Sequence, residues 1–80
     1  MTEVVLLTTE GCEFCDHAKT VLQRLRGEFD IELREVRLES EEGTQLAASS
    51  RAPFPPVVFL GGRAFSYGRV SERKLRKALA

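Results

Sequence analysis

The sequence predicts an α/β fold, with one mixed four-stranded sheet, helices on its faces and the element order β-α-β-α-β-β-α. Three observations lead there. Two short runs, Val4-Val5-Leu6-Leu7 and Val57-Val58-Phe59-Leu60, are apolar without polar alternation, as strands covered on both faces are. Helical spacing of apolar residues, or a helix-start pattern, marks two segments between those runs and one after them. Gly61-Gly62, directly after the second run, is a hairpin signal of the kind that needs positive φ.

The first strand stops at Thr8-Thr9-Glu10-Gly11. Phe14, Ala18, Val21, Leu22 and Leu25 then fall on one helix face, and Gly27 closes the pattern. Ile31-Glu32-Leu33 and Val36-Arg37-Leu38 each alternate, but the phase slips between Leu33 and Val36. That segment therefore reads as an outer strand that either carries a bulge or lies only half in the sheet. Ser40, followed by Glu41 and Glu42, starts a short helix through Leu46, Ala47 and Ala48, with a capping hydroxyl and negative charge in its first turn.

Pro53, Pro55 and Pro56 break any helix and force an extended approach to Val57. After the glycine pair, Arg63-Ala64-Phe65-Ser66-Tyr67 makes the last strand. Ser71 caps the closing helix, with Glu72 in its first turn, Val70, Leu75 and Leu79 facing inward, and Lys74, Arg76 and Lys77 toward its negative end. The two fully apolar strands should be central neighbours, which brings the Cys12 loop beside the Pro55-Pro56 loop.

Eighty residues, 42% of them hydrophobic, suffice for one small core, so residues 1–80 are expected to form a single domain and a monomer. Twelve Lys and Arg balance twelve Asp and Glu, so overall charge attracts the chain neither to nucleic acid nor to a membrane surface. The balance conceals an asymmetry. Seven acidic residues lie between Glu28 and Glu42, against Arg34 and Arg37, whereas Arg63 to Lys77 holds six cations against Glu72. Such segments are solvated faces, or a field that steers an acidic partner. No apolar run near the start is long enough for a signal-peptide core or a membrane span, and a cytoplasmic location is expected.

Cys12 and Cys15 are the only cysteines. A bridge across a two-residue gap closes too small a loop to stabilise the fold much, so the pair is better placed for chemistry than for stapling. At the mouth of the first helix, free backbone N–H groups and the positive end of the helix dipole favour thiolate over thiol at Cys12. Cys12 is thus the expected nucleophile. Cys15, one turn deeper, is placed to attack a mixed disulfide formed at Cys12, and Gly11 permits the tight turn that leaves Cys12 accessible. With His17 the cysteines would make three zinc ligands, but no fourth Cys or His exists, and Cys15 and His17 point in different directions on a helix. His17, Asp16 and Lys19 are read as solvent-facing, and no metal site is expected.

The chain resembles the thioredoxin superfamily and, within it, the glutaredoxin-like proteins. The likeness spans essentially all 80 residues. It rests on Cys12-x-x-Cys15 after the first strand, Pro56 leading into Val57-Val58-Phe59-Leu60, Gly61-Gly62, and Tyr67-Gly68 before the last helix. The resemblance implies a minimal thioredoxin-like fold and a dithiol disulfide reductase acting on protein or small-molecule disulfides. It also implies a cis Pro55-Pro56 bond, and a substrate surface drawn from Gly11, Glu13, Phe14, Pro55, Pro56, Tyr67, Gly68 and Arg69. No bound cofactor is implied, and electrons would come from glutathione or a thioredoxin reductase.

Several positions depart from the family pattern. Phe14 fits the usual aromatic position, but Glu13 replaces a proline, and its carboxylate opposes the Cys12 thiolate. Pro55 stands where the family offers a backbone N–H to substrate, and proline has none. Glutathione-using members carry a lysine and an acidic residue where this chain has Thr9 and Arg69, although Arg69 or Arg51 could substitute as anion partners. Ser66-Tyr67-Gly68 is similar to the glutaredoxin-like hydrogen donor of ribonucleotide reductase, which a thioredoxin reductase reduces. Two other readings remain: an iron–sulfur or metal carrier that uses Cys12, and a thioredoxin-like scaffold that binds a partner through its basic Arg63 to Lys77 end.

Overall fold

The computed structural model describes residues 1–80. Its elements are β1 (Thr2–Thr8), α1 (Glu13–Arg26), β2 (Ile31–Arg37), α2 (Glu41–Ser50), β3 (Val57–Leu60), β4 (Arg63–Tyr67) and α3 (Glu72–Leu79). The expected order is therefore present. The four strands form one sheet in the order β2-β1-β3-β4, with β2 parallel to β1, and β3 antiparallel to both β1 and β4. The two apolar runs are the central pair, with Val4 opposite Leu60 and Leu7 opposite Val57.

Because side chains alternate along a strand, β1 feeds two cores. Val4 and Leu6 point to one face, where they pack with Ala18, Val21, Leu22 and Leu25 of α1 and Leu75 of α3. Val5 and Leu7 point to the other, with Val36, Val57 and Phe59, and there Leu46 and Ala47 of α2 cover them. No helix is long and apolar enough to cross a membrane.

Two local expectations are corrected. The phase slip in β2 is neither a bulge nor a half-paired strand, since all seven residues pair with β1 in unbroken register, Thr2 with Ile31 through Thr8 with Arg37. Ile31 and Leu33 serve the α1 face, while Val36 and Leu38 serve the α2 face. A strand between two covered faces can change which face receives its apolar residues without changing its pairing.

Phe14 does not share the buried face of α1. Cys15 does, at 1% exposure, and Phe14 is 50% exposed. Phe14 lies in the first turn of α1, beyond the strand ends, where no sheet covers it. Gly27 closes α1 as the spacing implied, in the right-handed region at φ −76°, with its N–H shared between the Arg24 and Leu25 carbonyls.

Gly43, unpromising for a helix, is required by packing. A Cβ there would meet the Arg37 carbonyl carbon at 2.8 Å and the Leu38 Cα at 2.9 Å. The first turn of α2 thus lies directly on the chain leaving β2, and Ser40 Oγ caps it by accepting the Gly43 N–H at 3.0 Å. Gly61 and Gly62 have φ of 57° and 84°, as the hairpin between β3 and β4 demands. Past that turn, Val58 pairs with Ser66 but Phe59 with Ala64, so Phe65 is the extra residue of a bulge in the outer strand β4.

Candidate active site

The end of β1, the start of β3 and the end of β4 meet at one end of the sheet, where Leu7 lies opposite Val57 and Val57 opposite Tyr67. The Cys12 loop leaves from Thr8, and the register places Pro56 beside Thr8. The loop holding Pro55 and Pro56 and the turn at Gly68 therefore share that end with the cysteines, as the apolar strands implied.

Cys12 is the N-cap of α1, extended at φ −106° and ψ 109°, and its sulfur accepts the Cys15 backbone N–H at 3.1 Å. Gly11 precedes it at φ 69°, a left-handed conformation that glycine adopts without a Cβ penalty. Cys12 is partly exposed and Cys15 buried, the two are joined as a disulfide, and their Cα atoms are 5.2 Å apart. Gly11, Cys12, Glu13 and Phe14 line a shallow open depression, so the outer sulfur is the approachable one. Glu13 and Asp16 put two exposed carboxylates in the first turn of α1. They complement the helix dipole but oppose negative charge on Cys12.

At the same end of the sheet the Pro55-Pro56 peptide is cis and Pro56 is buried. Its carbonyl accepts the Gly68 N–H at 2.8 Å, which ties the proline loop to the turn after β4. Gly68 is buried at φ 73° beneath the Phe54 ring, and a Cβ there would stand 3.2 Å from that ring. Phe54 in turn meets Tyr67 edge-to-face with centroids 5.6 Å apart, and both rings are about half exposed. Arg69 is exposed and has no carboxylate partner, and the same holds for Arg51, which ends α2 at φ 58°. Thr9 donates to the Glu39 carboxylate at 3.3 Å.

Two groups were missed by sequence reasoning. Phe54 is one. Its signal was an aromatic residue between prolines, in a segment that can join neither a helix nor a ladder. The other is a polar contact under α1, where Thr8, 1% exposed, donates to Glu35 at 2.7 Å and Glu35 pairs with Lys19 at 3.2 Å. Lys19 is therefore bound rather than simply solvent-facing, one helical turn from Cys15. Burial pushes the Glu35 carboxyl up, but the Thr8 hydroxyl and the Lys19 ammonium outweigh it and hold the group below its ordinary range. Position 35 lies on the α1 face of β2, so the alternation of that strand was the available signal. His17 and Asp16 are exposed, and no three His, Cys, Asp or Glu side chains converge.

The family model described as "Glutaredoxin-like domain (DUF836)" matches residues 3–80. An uncharacterized protein of Mycobacterium tuberculosis is 34% identical over 80 residues, covering 98% of this chain and 82% of its own length, and an uncharacterized protein of Mycobacterium bovis matches to the same extent. Among solved structures, an uncharacterized thioredoxin-like protein from Clostridium perfringens superposes with a TM-score of 0.80 at 19% identity, covering 99% of this chain and 68% of that one. A mutant thioredoxin from Halobacterium salinarum superposes at 0.75 with 17% identity, covering 98% and 71%. At those identities the likeness speaks for the fold alone, and it is the family match and the Cys12-x-x-Cys15 disulfide that support a redox-type role. The chain belongs to the glutaredoxin-like domain family and has a thioredoxin-like fold.

Proposed function

We propose that this chain is a dithiol oxidoreductase that reduces disulfides of proteins or small molecules. The observation that carries the reading is the position of Cys12, where an N-cap sulfur receives a backbone N–H while Cys15 waits buried behind it. In the reduced protein, the Cys12 thiolate attacks one sulfur of a substrate disulfide. That S–S bond breaks, the first substrate thiolate leaves and takes a proton, and a mixed disulfide joins Cys12 to the remainder. Cys15, once deprotonated, attacks Cys12 Sγ, forms the Cys12–Cys15 disulfide and expels the second substrate thiol. Two electrons pass from the dithiol to the substrate, and glutathione or a thioredoxin reductase restores them.

Pro55 leaves only a carbonyl acceptor for an incoming strand, so recognition falls to the exposed rings of Phe14, Phe54 and Tyr67 at that end of the sheet. Such a surface favours polypeptide disulfides with apolar neighbours. The chemistry requires a reducing compartment, in keeping with a cytoplasmic location.

The test is a disulfide-reduction assay with each electron donor supplied in turn, glutathione with its reductase or thioredoxin reductase. Cys12→Ser abolishes turnover, whereas Cys15→Ser accumulates a mixed disulfide with a model protein substrate that dithiothreitol releases. Full turnover by Cys12→Ser sinks the reading.

A further inference from the structure

The ion pairs divide the surface unevenly. Lys19, Arg24, Arg34, Arg37 and Arg76 each pair with a carboxylate. Arg63, Arg69, Arg73, Lys74 and Lys77 do not, and all five are exposed on β4, on the turn after it or on α3. The one acidic side chain in that stretch, Glu72, is held by Arg24 and Arg76. Of the acidic segment only Glu28 reaches this flank, where Arg76 holds it, and the carboxylates of β2 lie at the opposite edge of the sheet from β4. The molecule has no net charge but is divided across its width, and the basic flank keeps its field.

That flank also has an apolar foothold. Phe65, the bulge residue of β4, is 38% exposed and shares a shallow depression with Lys74, Lys77 and Ala78. A second depression beside it is lined by Ser71, Arg73, Lys74 and Lys77. Burying a ring between ammonium groups suits a ligand that brings an apolar group and negative charges together. The bulge disfavours pairing of another strand along β4, so recognition here falls to side chains.

We propose that the β4–α3 flank is a docking surface for an acidic polypeptide segment that places an apolar residue on Phe65 and carboxylates on Lys74, Lys77 and Arg73. An overall neutral chain with an acidic opposite edge suits a partner with a local acidic patch better than a long polyanion. The surface is separate from the cysteine chemistry and stands whether or not the redox reading holds.

The probe is a fluorescent peptide of glutamates flanking one leucine, measured by anisotropy and by amide shift mapping on the full chain. Saturable binding with shifts confined to β4 and α3 is expected. Affinity should fall strongly between about 20 mM and about 300 mM salt, as the screening length shortens below the spacing of surface charges. Lys74→Glu and Arg26→Glu change net charge equally, yet only the first should weaken binding, by roughly fivefold or more. Phe65→Ser, which leaves charge untouched, should weaken it as well, and amide spectra of each variant establish that it is folded. Shifts elsewhere, equal effects of Lys74→Glu and Arg26→Glu, or tighter binding of a single-stranded oligonucleotide or of anionic phospholipid vesicles would each overturn the proposal.

Discussion

Gly68 is where backbone geometry and the candidate substrate surface meet, and Gly68→Ala separates them. The residue is buried at φ 73°, its N–H bonds the Pro56 carbonyl, and a Cβ would come within 3.2 Å of the Phe54 ring. A non-glycine residue in the left-handed region costs roughly 1–2 kcal/mol. The half-exposed Phe54 ring can turn aside from the new Cβ, so the backbone strain is the part of the loss that does not depend on Phe54. The melting temperature should therefore fall by roughly 4–16 °C, at about 4–8 °C per kcal/mol for a domain of this size. Turning the ring aside does, however, break its edge-to-face contact with Tyr67, worth about 0.5–1.5 kcal/mol. If these rings seat substrate, kcat/KM for a protein disulfide should fall by roughly twofold to tenfold at temperatures where the variant is folded. In a Phe54→Ala background the stability loss from Gly68→Ala should persist while its effect on kcat/KM disappears. A Gly68→Ala variant as stable as the parent, or a stability loss that vanishes with Phe54→Ala, would refute the assignment of strain to the backbone.

Gly43→Ala should destabilise by about 2 kcal/mol or more, because overpacking against backbone exceeds the helix-propensity gain of about 1 kcal/mol; Gly27→Ala, with its Cβ 3.4 Å from the Arg24 carbonyl at right-handed φ, should stay within about 0.5 kcal/mol by urea titration. Stability should decline on acidification below the ordinary Glu value of 4.5. Glu35 is held lower than that in the folded chain, so its contribution is complete above that value and lost as pH falls through the folded pKa, and Glu35→Gln should flatten this acid limb. Glu13→Gln should lower the Cys12 pKa by no more than about 0.7 unit, since even an exposed carboxylate as close as about 4 Å acts through water with only roughly 1 kcal/mol. Thiolate absorbance against pH measures it, and a rise would contradict the opposition of Glu13 to the thiolate.

What was legible in the sequence was what burial patterns. Val4–Leu7 and Val57–Leu60 are apolar on both faces because helices cover both, and that alone made them the central pair. In β2 the same two-faced burial defeated a reading that assumed one buried face, and it produced a phase slip where the register has none. Phe14 continued the helical spacing but lies past the strand ends, a matter of where the sheet stops rather than of period. Gly43 looked like a helix weakness because its partner, the chain at Arg37 and Leu38, is near in sequence but meets it only once the turn into α2 folds back. At the site, Cys12, Cys15 and Pro56 were legible from spacing and family likeness. Phe54 and the Thr8–Glu35–Lys19 contact were not, since each depends on which residues alternation and loop closure place side by side.

The distribution of aromatic residues bears on how such a site recognises anything. Of five Phe and one Tyr, only Phe59 is buried, while the interior is otherwise filled by Val, Leu, Ile and Ala. Phe29, partly buried, packs against the α1-side core, and the fold uses no other aromatic ring there. Phe14, Phe54 and Tyr67 instead stand half exposed around the end of the sheet that holds the cysteines, and Phe65 stands exposed among unpaired cations. Isolated exposed apolar residues are ordinary on a protein surface, but several large rings gathered at one end of the sheet are not. Desolvating a ring contributes affinity that needs no backbone donor, and Pro55 has removed that donor where an incoming strand would use it. On the proposed readings, with main-chain pairing curtailed at both the proline loop and the bulged edge of β4, discrimination between partners would pass to ring contacts and to charge, which are set by single side chains and leave the scaffold unchanged.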